Sequence, residues 1–93
     1  MKTVLIAYDL HKLGQRYEKL RTLIHNSFPI RWYCLESTFI VVTDMTPAQV
    51  RDLCSPALDS NDELLVVGLQ PSAWATRGMA DNCNSWLREN VGP

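Results

Sequence analysis

Two hydrophobic rhythms alternate along this chain: short unbroken apolar runs, and apolar residues spaced three or four apart. The first run, Thr3 to Tyr8 or one residue longer, is apolar at nearly every position, which predicts a central strand covered on both faces. It runs directly into Asp9. After the loop His11-Lys12-Leu13-Gly14, the segment Gln15 to Ser27 carries Leu13, Tyr17, Leu20 and Ile24 at helical spacing, with Leu23 beside them. Pro29 stops that amphipathic helix.

Ile30-Arg31-Trp32-Tyr33-Cys34 and Thr38-Phe39-Ile40-Val41-Val42-Thr43 read as the second and third strands. Only Leu35-Glu36-Ser37 lies between them, too few residues for a crossover helix, so the two are expected to pair antiparallel. Thr46-Pro47-Ala48-Gln49 is a helix start with a capping residue, a pre-set first turn and a capping-box glutamine. Val50, Leu53, Cys54 and Ala57 or Leu58 form its apolar stripe, and Pro56 kinks or ends it early. The turn cluster Asp59 to Asp62 leads into a fourth strand, Glu63 to Leu69, expected to be buried on both faces.

Pro71 to Trp74 is compatible with a single helical turn, and Asp81 to Asn90 with a short third helix turning Cys83, Trp86 and Leu87 inward. The order strand, helix, strand, strand, helix, strand predicts an α+β fold. Its expected form is a ferredoxin-like βαββαβ sandwich, with a four-stranded antiparallel sheet and two helices on one face. Residues 1–70 form that core, and 71–93 form an extension packing on the core or on a dimer partner. Trp32, Trp74 and Trp86 are candidates to cover the open sheet face, within the chain or across a dimer.

Composition narrows the function classes. Ninety-three residues make one domain with a thin core, so a second copy would remove more apolar surface from water. The formal charge of −1 and pI near 6.0 disfavour a strongly basic nucleic-acid binder, so any such contact needs a local basic face. No stretch approaches the roughly 20 apolar residues that span a bilayer, and none has the layout of a signal peptide, so no membrane partner and a cytoplasmic location are expected. Cys34, Cys54 and Cys83 are widely spaced and odd in number, which reads as reduced, mostly buried thiols.

Several pieces together carry a family resemblance. They are Tyr8-Asp9 closing the first strand, the Glu36-Ser37-Thr38-Phe39 corner, the Thr46-Pro47-Ala48-Gln49 helix start, and Asp62-Glu63-Leu64-Leu65-Val66 leading into the fourth strand. In their order and spacing, over residues 2 to about 69, the chain resembles the CRISPR-associated protein two family. The wider relatives include VapD-type ribonucleases and small bacterial proteins of the SinR family; Trp74 and Ser85-Trp86-Leu87 look most like the last. The resemblance implies a homodimer in which two copies of Asp9 face each other and hold a divalent cation. The chain departs from the pattern in its slightly negative charge and in having Lys12 and Arg16 as the nearest basic residues after Asp9.

The candidate chemistry centres on Asp9, which either ligates Mg2+ or Mn2+ for attack of water on a phosphodiester or anchors the following loop by accepting backbone hydrogen bonds. Ser37 reads as a phosphate or water contact or as a plain turn residue. His11 is a candidate general acid or base by residue type, whereas His25 suits the negative end of its helix. Lys12, Arg16 and Lys19 share a helix flank, either a phosphate-contacting surface or a solvated face. The chain is thus expected to be a dimeric nucleic-acid-associated protein, a weak metal-dependent endonuclease or endoribonuclease acting on RNA or DNA. The alternative is a non-catalytic antitoxin, immunity or regulatory protein with a protein partner on the same scaffold.

Overall fold

A computed structural model describes residues 1–11 and 15–93, with only the backbone for 15–17. The elements run β1 (Lys2–Asp9), α1 (Gln15–Ser27), β2 (Arg31–Leu35), β3 (Thr38–Thr43), α2 (Pro47–Cys54), β4 (Glu63–Leu69) and α3 (Asp81–Asn90). The four strands form one antiparallel sheet in the order β2-β3-β1-β4.

Strand alternation sorts β1 onto two faces. Val4, Ile6 and Tyr8 point to one side, where they form a continuous core with Phe39 and Val41 of β3, Leu20 and Ile24 of α1, and Val50 and Cys54 of α2. Both helices therefore lie on the same face. The start of α2 is fixed by the expected capping box: Thr46 Oγ1 accepts from Gln49 N–H at 3.2 Å, and Gln49 Oε1 accepts from Thr46 N–H at 2.8 Å. The α-helix gives way to a short 3-10 turn, Ser55–Ala57, at Pro56, which has no N–H to continue the ladder.

The opposite face holds a second, smaller cluster. Trp32 of β2, Ile40 of β3, Leu87 and Val91 are buried there, with Leu5, Leu69, Trp74, Met79 and Trp86 packed around them. The tryptophans thus cover part of this face from within the chain. Helix α3 is fastened by polar contacts as well as packing: Trp32 Nε1 donates to Cys83 O at 3.2 Å, and Thr3 Oγ1 donates to Asn90 O at 3.0 Å.

Three expectations are corrected. Cys34 and Cys83 are not separate reduced thiols but a disulfide joining β2 to α3, and only Cys54 is free, buried in the core. Disulfides of this kind persist in oxidising surroundings, so cysteine usage lends no support to a reducing compartment. β4 is not buried on both faces: an edge strand covered on the α3 side only near Leu69, it leaves Leu65 58% and Val67 38% exposed. Pro71 to Trp74 forms no helical turn. That segment is instead pinned against the chain end, Ser72 N–H donating to Val91 O at 3.2 Å and Trp74 Nε1 to Gly92 O at 2.8 Å. The approach is so close that a Cβ on Gly92 would run into the Ser72 carbonyl.

Among the described residues no helix is long and apolar enough to cross a membrane.

Candidate metal centre

Asp9 closes β1 and Glu63 opens β4, and the register sets the two residues directly opposite each other. Side chains so placed have Cβ atoms about 4.5–5.5 Å apart, and like charges there are unfavourable unless something positive joins them. His11 comes to the same place from the turn after β1. Its Nε2 lies 3.4 Å from Glu63 Oε1. One donor atom from each of Asp9, His11 and Glu63 lies within 4.8 Å of the others.

The turn is held from across the chain. Asp62, immediately before Glu63, accepts the His11 backbone N–H at 2.9 Å through Oδ1 and the Asp59 backbone N–H at 2.8 Å through Oδ2. A single carboxylate thus ties together the loop before β4 and the residue that brings in the imidazole. On the other flank the β2–β3 turn packs against the end of β1: Tyr8 N–H donates to Ser37 O at 3.1 Å, and Tyr8 OH donates to Glu36 O at 3.0 Å.

The donor set fits a divalent cation. With metal–ligand bonds near 2.2 Å, neighbouring donors on an octahedron lie about 3.1 Å apart and opposite ones about 4.4 Å apart. The observed spread needs only small rotations of exposed side chains, which the surroundings leave room for. The three residues are all exposed, and an open hollow of about 430 Å³ is lined by Ala7, Tyr8, Asp9, Glu63, Leu64 and Leu65. Two carboxylate oxygens and one imidazole nitrogen suit Mn2+ better than Mg2+, which takes oxygen ligands. Without a cation, the 3.4 Å contact between His11 and Glu63 is an exposed one of small energetic value.

Of the residues singled out in the sequence, Asp9 and His11 meet. Ser37 stands beside the end of β1, where its backbone carbonyl holds the turn. Lys19 is exposed on α1. Lys12 and the Arg16 side chain lie outside the described residues. His25, at the end of α1, has its Nε2 3.3 Å from Arg31 Nη2. In the sequence Glu63 marks the start of a strand and carries no chemical signal of its own. The signal that points to it is register: once β1 and β4 are antiparallel neighbours, the first residue of one faces the last residue of the other. Elsewhere in the core, burial raises the Cys54 thiol to about 11. Compared with known proteins, the chain matches no family model, no curated protein and no solved structure.

Proposed function

We propose that this chain is a nucleic-acid-associated protein of the group it resembles, a homodimer that holds Mn2+ or Mg2+ at Asp9, His11 and Glu63 and slowly cleaves phosphodiester bonds. The observation that carries the reading is the convergence of these three donors, from β1, the turn after it and β4, within 4.8 Å. The fold assignment is supported by the strand order, which from the β4 edge reads 4-1-3-2, with α1 and α2 on one face, as in a ferredoxin-like unit.

A cation bound there would polarise a phosphoryl oxygen and make a coordinated water a better nucleophile. The chain's own contribution is placement. Asp9 and Glu63 supply anionic oxygens, Asp62 fixes the backbone that carries His11, and Ala7 and Leu65 give the hollow an apolar wall beside the ligands. The dimer is supported by a row across the sheet, Leu35, Thr38, Ala7 and Leu65, set by register beside the Asp9–Glu63 pair. Leu35 and Leu65 in that row are 48% and 58% exposed. A second copy laid on this row brings a second Asp9 near the first and doubles the local ligand set.

Calorimetric titration with Mn2+ tests the centre. Asp9→Ala and Glu63→Gln are each expected to weaken binding at least tenfold, and labelled RNA or DNA is expected to be cut only with metal and not by Asp9→Ala. Unchanged cation affinity in both variants sinks the proposal. Intact cation binding without cleavage selects the second reading, a non-catalytic interaction protein, which the exposed Leu35 and Leu65 also favour.

A further inference from the structure

A second polar constellation lies at the β2 edge of the sheet, on the helix side. Arg21 and His25 stand four residues apart on one flank of α1, and Arg31 and Tyr33 stand two apart on β2. The two pairs meet. The Arg21 guanidinium lies 5.8 Å over the Tyr33 ring, and Arg31 Nη2 lies 3.3 Å from His25 Nε2. Between them is a hollow of about 260 Å³ lined by Arg21, Thr22, His25, Arg31, Tyr33 and Phe39. Its described lining contains no carboxylate, although acidic residues outnumber Lys and Arg in the chain by 10 to 9.

Two parts of this hollow are anchored to the backbone or to the core. Arg31 Nη1 donates to Phe28 O at 3.1 Å and Pro29 O at 3.4 Å, which fixes one arm of its fork on the loop that follows α1. Tyr33 stacks on Phe39 with ring centroids 4.3 Å apart and 10° between planes, and its hydroxyl donates to Glu36 O at 3.0 Å. Planar guanidinium groups beside an immobilised aromatic ring are elements that take the phosphates of single-stranded nucleic acid, the Tyr33 ring, with Phe39 stacked on it and Arg21 over it, holding one cation in place. Duplex is disfavoured, because a hollow of this size under a strand edge admits a flexible backbone and not a paired helix.

A neighbouring hollow of about 290 Å³ shares Arg21 and Tyr33 and extends along Leu35 and Glu36 to the β2–β3 turn. That turn packs on the end of β1, which carries Asp9. With strands about 4.8 Å apart, β2 and β1 are separated by about 10 Å across the sheet. A strand held in the basic hollow would have to round the β2–β3 turn to reach Asp9, because strand alternation sets Asp9 on the sheet face opposite Tyr8 and Phe39.

We propose that Arg21, His25, Arg31 and Tyr33 form a phosphate-gripping trough for single-stranded RNA or DNA, leading around the β2–β3 turn to the candidate metal centre. The proposal deepens the reading above and rests on it for the class of substrate, but not on cation binding. The test is fluorescence anisotropy of an end-labelled twelve-nucleotide uridine RNA with the full chain in EDTA, across a salt series, with circular dichroism confirming that each variant is folded. His25→Glu, at an exposed position, and Arg21→Gln are each expected to weaken binding at least tenfold. Arg21→Gln is also expected to flatten the salt dependence by close to one ion. Arg88→Gln on α3 is expected to bind as wild type. Unchanged affinity and salt slope in both trough variants overturns the proposal, and so does a histidine NMR shift with inorganic phosphate alone when the RNA shows no binding. Because EDTA removes the cation, failure of the metal centre leaves RNA binding intact and is told apart from failure of the trough.

Discussion

The two faces of the sheet are held by different means. On the helix side, Val4, Ile6, Val41, Leu20, Ile24, Val50 and Cys54 are at most 1% exposed. Two crossover helices required by the topology seal them, one between β1 and β2 and one between β3 and β4. On the other side the cover is α3, an appendage whose closure is not imposed by sheet connectivity. It is fastened by the Cys34–Cys83 bond, by Trp32 Nε1 on Cys83 O and by Thr3 Oγ1 on Asn90 O. It covers only part of the face. The row Leu35, Thr38, Ala7 and Leu65 stays partly or largely exposed, next to the Asp9–Glu63 pair. Packing suffices where connectivity holds the elements together, and a covalent staple appears where it does not.

The sharpest way to break this contrast is to open the staple. Closing a loop between residues 49 apart restricts the unfolded chain by about 4 kcal/mol. Cys83→Ser, or reduction, is expected to lower stability by about that amount in denaturant unfolding. The loss should be lopsided. Amide hydrogen exchange is expected to quicken through α3 and around Trp74, while α1 and β1 keep most of their remaining protection. A uniform loss of protection across both faces would show that α3 is as integral as the two crossover helices.

The helix face can be probed through its one free thiol. Cys54 sits fully buried between α2 and the sheet, and burial raises its pKa from 9.0 to about 11. In the unfolded chain the thiol ionises first as pH rises, so between pH 9 and 11 the folded state binds more protons than the unfolded state. The contribution is full below pH 9 and is lost on passing through pH 11. The expected decline is roughly 2–3 kcal/mol, at 1.36 kcal/mol for each unit of difference. Cys54→Ala should remove this part of the alkaline slope, and native Cys54 should resist thiol reagents at pH 8. Rapid labelling of the folded protein would contradict a sealed helix face.

The difference between the faces also explains what the sequence revealed. Local signals were strong for the helix side: the Thr46-Pro47-Ala48-Gln49 start, the spacing of Leu20 and Ile24, and the stop near Pro56 all appear as expected. The departures from expectation lie on the other side. An apolar run such as Glu63 to Leu69 looks the same whether central or at an edge, because its exposure depends on where α3 stops. The pairing of Cys34 with Cys83 across 49 residues leaves no local trace. Asp9 and His11 stood out by position and residue type, whereas Glu63 and the Arg21–Tyr33 meeting depend on long-range register and helix placement. Periodicity reports which face a residue takes, not what comes to lie opposite it.

The smallest effect on the folded chain, and the most telling for the proposed dimer, is expected from Leu65→Lys. The side chain is 58% exposed on an edge strand, so exchanging it in a lone protomer removes little buried surface and should change stability by less than about 0.5 kcal/mol. In a dimer closed over the Leu35–Thr38–Ala7–Leu65 row, the same change places an ammonium in an apolar contact and repeats it on both copies by symmetry. Sedimentation equilibrium is then expected to show at least a tenfold weaker association. Unfolding measured at dilution, where the wild type is itself monomeric, should stay nearly unchanged. Equal association of the two proteins would leave the row as free surface beside Asp9 and Glu63, and the candidate centre would have to work with the three donors of one chain.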